Sequence, residues 1–288
     1  MSILLDRHTG VLVQGITGKI GSIQTRWMIE YGTNIVAGVT PGKGGSTVEG
    51  VPVFDTVEEA ACETGAEASV FFVPSPFVKD AFFETVAAGI RLIVVVPEHV
   101  PVHDVMVMCE QARLNNVFAL GPTTPGIMTP GEAKMGIMPA SLFTPGQVGI
   151  ISRSGTLAYE MAGVLTEAGI GQSTVVGMGA DPLVLTNMPD ILDLFERDKG
   201  TEAVVIVGEV GGIQEEEAAK FIAKRMSKPV AAYIAGRFAP EGKKMGHAGA
   251  IIRGSTGKAE GKWRALEDSG VKMLATPMAV VEWAAQLK

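Results

Sequence analysis

Cysteine is nearly missing from this chain: Cys62 and Cys109 are the two in 288 residues, and neither belongs to a CxxC pair. Two such thiols build neither a disulfide framework nor a structural zinc site, and they suit a reducing compartment. Aromatic residues are sparse at 6%, and charged residues make up only 19%. Basic residues are outnumbered, 24 Lys and Arg against 31 Asp and Glu, for a formal net charge of −7. An acidic balance leaves no electrostatic footprint for a phosphate backbone, which argues against nucleic-acid binding. Long apolar runs are lacking too. Charged Asp6 and Arg7 precede the first apolar run, and nothing approaches the roughly 18 residues of a membrane span. No His, Cys and carboxylate cluster has metal-ligand spacing. The expectation is a cytoplasmic protein, or at most one of an organelle matrix, with no metal of its own.

What the chain has instead is glycine. Its 36 glycines are about an eighth of the residues, against a usual ~7%, and call for a backbone explanation. Hydrophobic residues reach 47%, enough for two cores at roughly 150 residues per domain. In the first half, 10–15, 34–39, 68–74, 91–97 and 116–121 read as strands. They are near-continuously apolar, as strands buried on both faces are. Helical spacing covers 20–31, 56–63, 76–88 and 102–114, with Thr56 and Pro76 as start signals. The stretch 121–147, with five prolines and five glycines, interrupts the rhythm and reads as an ordered interdomain crossover. Strands resume at 147–152, 173–179, 203–211, 229–236 and 271–277. This alternation predicts an α/β protein of parallel sheets covered by helices, divided into domains 1–125 and 126–288. Glu215, Glu216 and Glu217 open a helix running to Arg225 and place negative charge at the positive end of its dipole; the plain reading of the triplet is a solvated helix start. No repeat of 20–50 residues is visible.

Loops at strand ends carry the candidate chemistry. Gly15-Ile16-Thr17-Gly18-Lys19-Ile20-Gly21 lies between a predicted strand and helix, where backbone N–H groups and the helix dipole suit a phosphate. The spacing is not GxGxxG, and the next strand ends in Val39-Thr40-Pro41-Gly42-Lys43 without the acid that would take a ribose 2′-hydroxyl. That disfavours NAD and leaves a ligand with phosphate on its ribose, coenzyme A or NADP. A tight turn with no ligand would use the same glycines. Ser152-Arg153-Ser154-Gly155-Thr156 enters a helix in the same way, as a second anion site or as simple capping. Glu209 ends an otherwise apolar strand in Gly208-Glu209-Val210-Gly211-Gly212, a costly place for a carboxylate unless it is paired or functional.

His247 is the one histidine of the second half, in Met245-Gly246-His247-Ala248-Gly249. Small neighbours leave its ring accessible, and a neutral imidazole attacks phosphoryl groups. Spacing alone also allows a structural role, and that reading is kept for His8, His99 and His103.

Taken together, GITGKIG, VTPGKGG, SRSGTLAYE, GEVGG and GHAGAII stand in one order along the chain. In that order and spacing the chain resembles the α subunits of succinyl-CoA synthetase, or succinate–CoA ligase, over essentially its whole length. The resemblance implies an N-terminal Rossmann-like CoA-binding domain, a C-terminal flavodoxin-like doubly wound ligase domain, and an ATP-grasp β subunit on another chain, in an αβ or α2β2 assembly. It places CoA on Gly15, Thr17, Gly18, Lys19, Ile20, Gly21, Pro41 and Lys43, with Val96, Pro97 and Glu98 further along, and the acyl substrate near Thr123, Thr124 and Tyr159. It makes His247 the phosphorylated histidine, Glu209 the carboxylate that orients it, and Ser154, Gly155 and Thr156 the cradle of its phosphoryl group. The implied chemistry joins a carboxylate to CoA through an acyl phosphate. ATP or GTP with Mg²⁺ sits on the partner, and His247 takes or gives the phosphoryl group.

Five stretches depart from the family's usual pattern. Pro97-Glu98-His99-Val100-Pro101 replaces TEGIP, Gly121-Pro122-Thr123-Thr124-Pro125-Gly126 replaces GPNCPG, and Gly179-Ala180-Asp181-Pro182 replaces GGDP. Ser22-Ile23-Gln24 replaces TFH, and Leu183-Val184-Leu185-Thr186-Asn187 stands where a glycine- and serine-rich loop is usual. Their clustering near the acyl end keeps malate or another dicarboxylate open as the substrate. A CoA-binding regulator without transfer chemistry is the reading from a different class.

Overall fold

The computed structural model describes residues 3–254 and 256–287. They form two compact units. One comprises Leu4–Met138 together with Leu183–Leu185; the other comprises Pro139–Pro182 and the chain from Thr186 onward.

The first unit contains β1 (Val11–Gln14), α1 (Lys19–Tyr31), β2 (Ile35–Val39), β3 (Thr47–Val48), β4 (Val51–Phe54), α2 (Val57–Thr64), β5 (Ala68–Phe71), α3 (Val78–Ala87), β6 (Leu92–Val95), α4 (Val102–Leu114) and β7 (Phe118–Leu120). Strand order β3-β4-β2-β1-β5-β6-β7, parallel except for β3 on β4, is the doubly wound dinucleotide-fold order with a short edge strand added. Chain direction reverses across the sheet between β1 and β5, so the loop after β1 opens at the crevice where such sheets bind ligands. The apolar runs expected from sequence are the buried centres of these strands. Thr56 caps α2 by accepting from Glu59 N at 3.2 Å, and α4 occupies the predicted 102–114.

The proline- and glycine-rich stretch is more structured than a crossover. It supplies β8 (Gly126–Thr129) and β9 (Ala133–Gly136), an antiparallel hairpin. Thr33 holds it by donating to Lys134 O at 2.8 Å, and Tyr31 by accepting from Gly131 N at 2.9 Å. Leu183–Leu185 return to this unit far along the sequence. Leu185 is buried in the core that includes Phe71, Phe82, Ile93, Val95 and Met108, and Leu183 packs against that core. The stretch that stands in place of a glycine- and serine-rich loop in the resemblance thus supplies an apolar plug.

The second unit contains β10 (Pro145–Ser152), α5 (Gly155–Glu167), β11 (Gln172–Gly177), α6 (Met188–Arg197), β12 (Ala203–Glu209), α7 (Gln214–Arg225), β13 (Val230–Ala235), α8 (Ala259–Asp268), β14 (Lys272–Met273) and α9 (Ala279–Ala285). Its parallel strands run β14-β13-β12-β10-β11, the flavodoxin order, with the switch point between β10 and β12. The last strand keeps two residues of the predicted 271–277, since Pro277 and the turn before α9 end it.

One expectation is overturned. The Glu215–Glu217 triplet is no plain solvated helix start. Glu215 is 0% exposed, because α7 buries Glu215, Ala218, Ala219 and Ile222 on one face, the i, i+3, i+4, i+7 stripe of a helix packed on its neighbours. The facing helix α8 buries Ala259, Lys262 and Leu266, and Lys262 is also 0% exposed.

Candidate functional site

In the second unit, parallel strands bring three chemically marked segments to one sheet edge. Ser152 pairs with Val207, and Glu209 with Ala235. The end of β10, the end of β12 and the loop leaving β13 therefore share the carboxyl edge at the switch point. Ser154 N-caps α5, its hydroxyl accepting from Leu157 N at 3.4 Å, while Ser152 Oγ accepts from Ser154 N at 3.1 Å. Gly155 and Thr156 begin the helix, where N–H groups precede the helix's own hydrogen-bond ladder. No acidic residue occupies this first turn, so the dipole is left for an anion.

His247 and Glu209 meet. His247 Nδ1 lies 2.7 Å from Glu209 Oε2, with the Glu209 side chain 7% exposed. A carboxylate accepts, so Nδ1 carries the proton and Nε2 is the basic nitrogen. Main-chain bonds hold the histidine loop: Gly249 N donates to Ala180 O at 2.9 Å and Gly211 N to Gly257 O at 2.8 Å. Gly211 has φ +87°, and a Cβ there would stand 2.0 Å from Gly249 O. GEVGG and GHAGA thus touch backbone to backbone, and a side chain at 211 would separate them.

Residues that sequence reasoning passed over complete the arrangement. Arg153, buried beside the cradle, donates from Nη1 to Glu209 O at 3.1 Å, Gly211 O at 2.8 Å and Glu215 Oε1 at 3.1 Å. Its Nη2 lies 3.5 Å from Glu209 Oε1, a buried oxygen with no hydrogen-bond partner among the described residues. Glu215 Oε1 also accepts from Glu209 N at 3.1 Å. Lys262 Nζ pairs with Glu215 Oε2 and donates to Gly212 O and Glu216 Oε2, both at 3.0 Å. Burial alone would push the Glu215 carboxyl up, but Arg153 and then Lys262 hold it below the ordinary glutamate value. Periodicity carried a signal here, because Glu215 and Lys262 each fall on the apolar stripe of a helix.

In the first unit, Gly15 turns the chain out of β1 at φ +75°, and Gly18 N donates to Gly15 O at 3.0 Å. Gly21 is buried in the first turn of α1, where a Cβ would lie 2.2 Å from Gly15 O. Loop and helix therefore pack at a distance only glycine allows. No side chain caps α1 and no acid lies in its first turn. Thr17 Oγ1 donates to Thr40 Oγ1 at 3.1 Å, joining the two predicted phosphate loops. Thr17, Gly18, Lys19, Ile20, Pro41 and Lys43 are exposed around this start. Asp55 accepts from Gly44 N at 2.8 Å and fixes the second loop.

Three of the departing stretches converge in this unit. Thr123 N donates to Pro97 O at 3.0 Å, and Leu185 N to Gly121 O at 2.9 Å. The Gly121–Pro122 bond is cis, and His99 and Thr123 have positive φ. Thr124 is buried, its hydroxyl accepting from Gly126 N at 2.9 Å. Val96 and Pro97 are half-buried at the end of β6, and Glu98 is exposed. In the second unit, Tyr159 is half-buried on α5, its phenol pushed up to about 12 by burial. Among the described residues no group of three or more His, Cys, Asp or Glu could hold a metal ion, and no helix is long and apolar enough to cross a membrane.

Comparison with known proteins decides the family. Residues 6–99 match the CoA binding domain model and residues 151–272 the CoA-ligase model. A succinate–CoA ligase [ADP-forming] α subunit of Methanothermobacter thermautotrophicus is 56% identical over 97% of this chain and 95% of its own. This chain belongs to the succinate–CoA ligase α subunits. Within the family, an Archaeoglobus fulgidus α subunit is 54% identical over 98% of this chain and 97% of its own. An Aquifex aeolicus α subunit is 52% identical over 100% and 95%. Among solved structures, ATP citrate lyase from Methanothrix soehngenii, in complex with citrate and coenzyme A, superposes with a TM-score of 0.90 at 25% identity. The match covers 99% of this chain and half of that longer one.

Proposed function

We propose that this chain is the α subunit of a nucleoside-diphosphate-forming succinate–CoA ligase, working in the cytoplasm with an ATP-grasp β subunit that binds the nucleotide and its Mg²⁺. The observation that carries this reading is the 2.7 Å contact between His247 Nδ1 and buried Glu209, set at the sheet edge where α5 begins. With the Nδ1 proton fixed on the carboxylate, Nε2 presents its lone pair. In the thioester-forming direction Nε2 attacks the terminal phosphorus of ATP or GTP, and the nucleoside diphosphate leaves. The N–H groups of Gly155 and Thr156 and the Ser154 hydroxyl receive the transferred phosphoryl oxygens. A succinate carboxylate oxygen then attacks phosphorus and imidazole leaves, giving an acyl phosphate. CoA thiolate attacks its carbonyl carbon and phosphate leaves.

The first unit binds CoA in this reading. The N-terminus of α1 takes a phosphate through Thr17, Gly18 and Lys19; Pro41 and Lys43 flank it, and Val96, Pro97 and Glu98 line the way to the thiol end. Thr123, Thr124 and Tyr159 are the residues this reading assigns to the acyl substrate. Support comes from the matching CoA binding domain and from α-subunit relatives of nearly equal length. Because Gly21 packs against Gly15 O, Gly21→Ala is expected to weaken CoA binding at least about tenfold, seen by calorimetry, by pushing the loop off the helix start.

Intact mass of the chain, native and after brief acid, tests the relay. Incubation with the β subunit, Mg²⁺ and ATP or GTP is expected to add one phosphoryl group, mapped to His247 and lost in acid. An unchanged mass with both nucleotides would move the chain to the CoA-binding regulators.

A further inference from the structure

Glu209 has two oxygens with different duties. Oε2 meets the histidine, whereas Oε1 is buried without a hydrogen-bond partner among the described residues and faces Arg153 Nη2 at 3.5 Å. A guanidinium that close could draw the carboxylate away from the imidazole. It is held back, because Nη1 is committed to Glu209 O, Gly211 O and Glu215. Glu215 in turn is held by Lys262, whose other bonds reach Gly212 O and Glu216. Behind the histidine, two buried cations thus face two buried carboxylates, with half-exposed Glu216 at the margin.

Resting on the assignment of His247 as the phosphoryl carrier, we infer that Lys262 and Glu215 are positioning residues for the reaction. They act through Arg153 on Glu209 and so set the proton affinity of His247. Neither touches the histidine. Their balance leaves Arg153 shared between Glu215 and Glu209, and leaves Glu209 Oε2 to His247. Its own loop and the turn after β11 carry further charges. Lys243 and Lys244 are exposed, Glu241 pairs with Lys258, and the backbone of Asp181 faces Gly249. Lys243, Lys244 and the Glu241–Lys258 pair lie outside the buried set. Glu215, held below the ordinary glutamate value by Arg153 and Lys262 against its burial, stays charged throughout the neutral range.

The experiment is a histidine NMR titration of the full chain, labelled at its four histidines and assigned by the signal missing from His247→Ala. Lys262→Met leaves an excess of buried negative charge, and the His247 midpoint is expected to rise by about one pH unit. Glu215→Gln removes that charge and keeps one of the two accepting oxygens, and the midpoint is expected to fall by a similar amount. The double variant restores the balance and returns the midpoint to that of the wild type, while Lys262→Arg leaves it in place. Opposite shifts with recovery in the double variant establish the coupling. Two single variants that titrate like the wild type, or a double variant that stays shifted, overturn it. If Lys262→Met does not fold, Glu215→Gln and the double variant decide alone. The midpoint is read whether or not His247 takes phosphate, so a wild type that stays unphosphorylated sinks the relay and leaves this coupling standing.

Discussion

Replacing His247 by alanine is expected to lower the rate of succinyl-CoA formation at least about 10⁴-fold, to the background of the assay, while CoA affinity stays within about twofold of the wild type. The asymmetry follows from the fold. CoA is assigned to the first unit, at the start of α1, whereas His247 belongs to the loop leaving β13 in the other. Removing the nucleophile eliminates the covalent intermediate rather than weakening it, and groups that act as one unit lose nearly everything when one member goes. Steady-state turnover with saturating carboxylate, beside calorimetric CoA titration, checks both halves. Turnover above a tenth of the wild-type rate in the alanine variant would mean that phosphoryl transfer bypasses this residue.

The second large effect concerns stability. Arg153→Met is expected to destabilise the second unit by about 3–5 kcal/mol, because deleting one member of a buried ion cluster strands the others. Glu209 Oε1 would lose the guanidinium beside it, Glu215 one of the two cations that hold it, and the carbonyls of Glu209 and Gly211 the Arg153 donor. Denaturant unfolding at neutral pH reads this directly. The acid response gives an independent check. A carboxyl held below its unfolded value contributes stability that is present above that value and is lost as pH falls through the folded one. For Glu215, ordinarily near 4.5, wild-type stability should decline below about pH 4.5. Without Arg153 the decline should be shallower, since less of that contribution remains to be lost. A loss under 1 kcal/mol with an unchanged acid slope would show the cluster to be incidental.

Much of this was legible in the residues. Near-continuous apolar runs marked the buried parallel strands, and the five glycine-bearing motifs marked loops at strand ends. The two sheet orders explain why those loops serve: the loops after β1, β10 and β12 flank the points where the chain reverses direction across its sheet, and those after β2 and β13 leave the neighbouring strands. What stayed hidden was hidden for local reasons. A two-residue strand such as β3 carries too little pattern to register. The hairpin β8–β9 lay in a stretch whose prolines and glycines pointed only to turns. Glu215 was misread because three adjacent glutamates suggested solvent, although a helix turning 100° per residue cannot expose all three when 218, 219 and 222 face inward. Lys262 followed from the same periodicity on α8, and the two opposite charges answer each other across the packed pair.

The three residues Leu183–Leu185 interrupt the second unit's sequence to complete the first unit's core. A fragment ending at Met138 would contain every strand of the first sheet and the whole α1 loop, yet lack the leucine that closes it. Such a fragment should be sticky and quick to digest, with Cys109, whose thiol donates to Val184 O at 3.6 Å, open to alkylation. In evolutionary terms the first unit is no detachable cassette. Moving it into another protein at a single joint would leave behind a part that its inheritance had filed elsewhere in the gene.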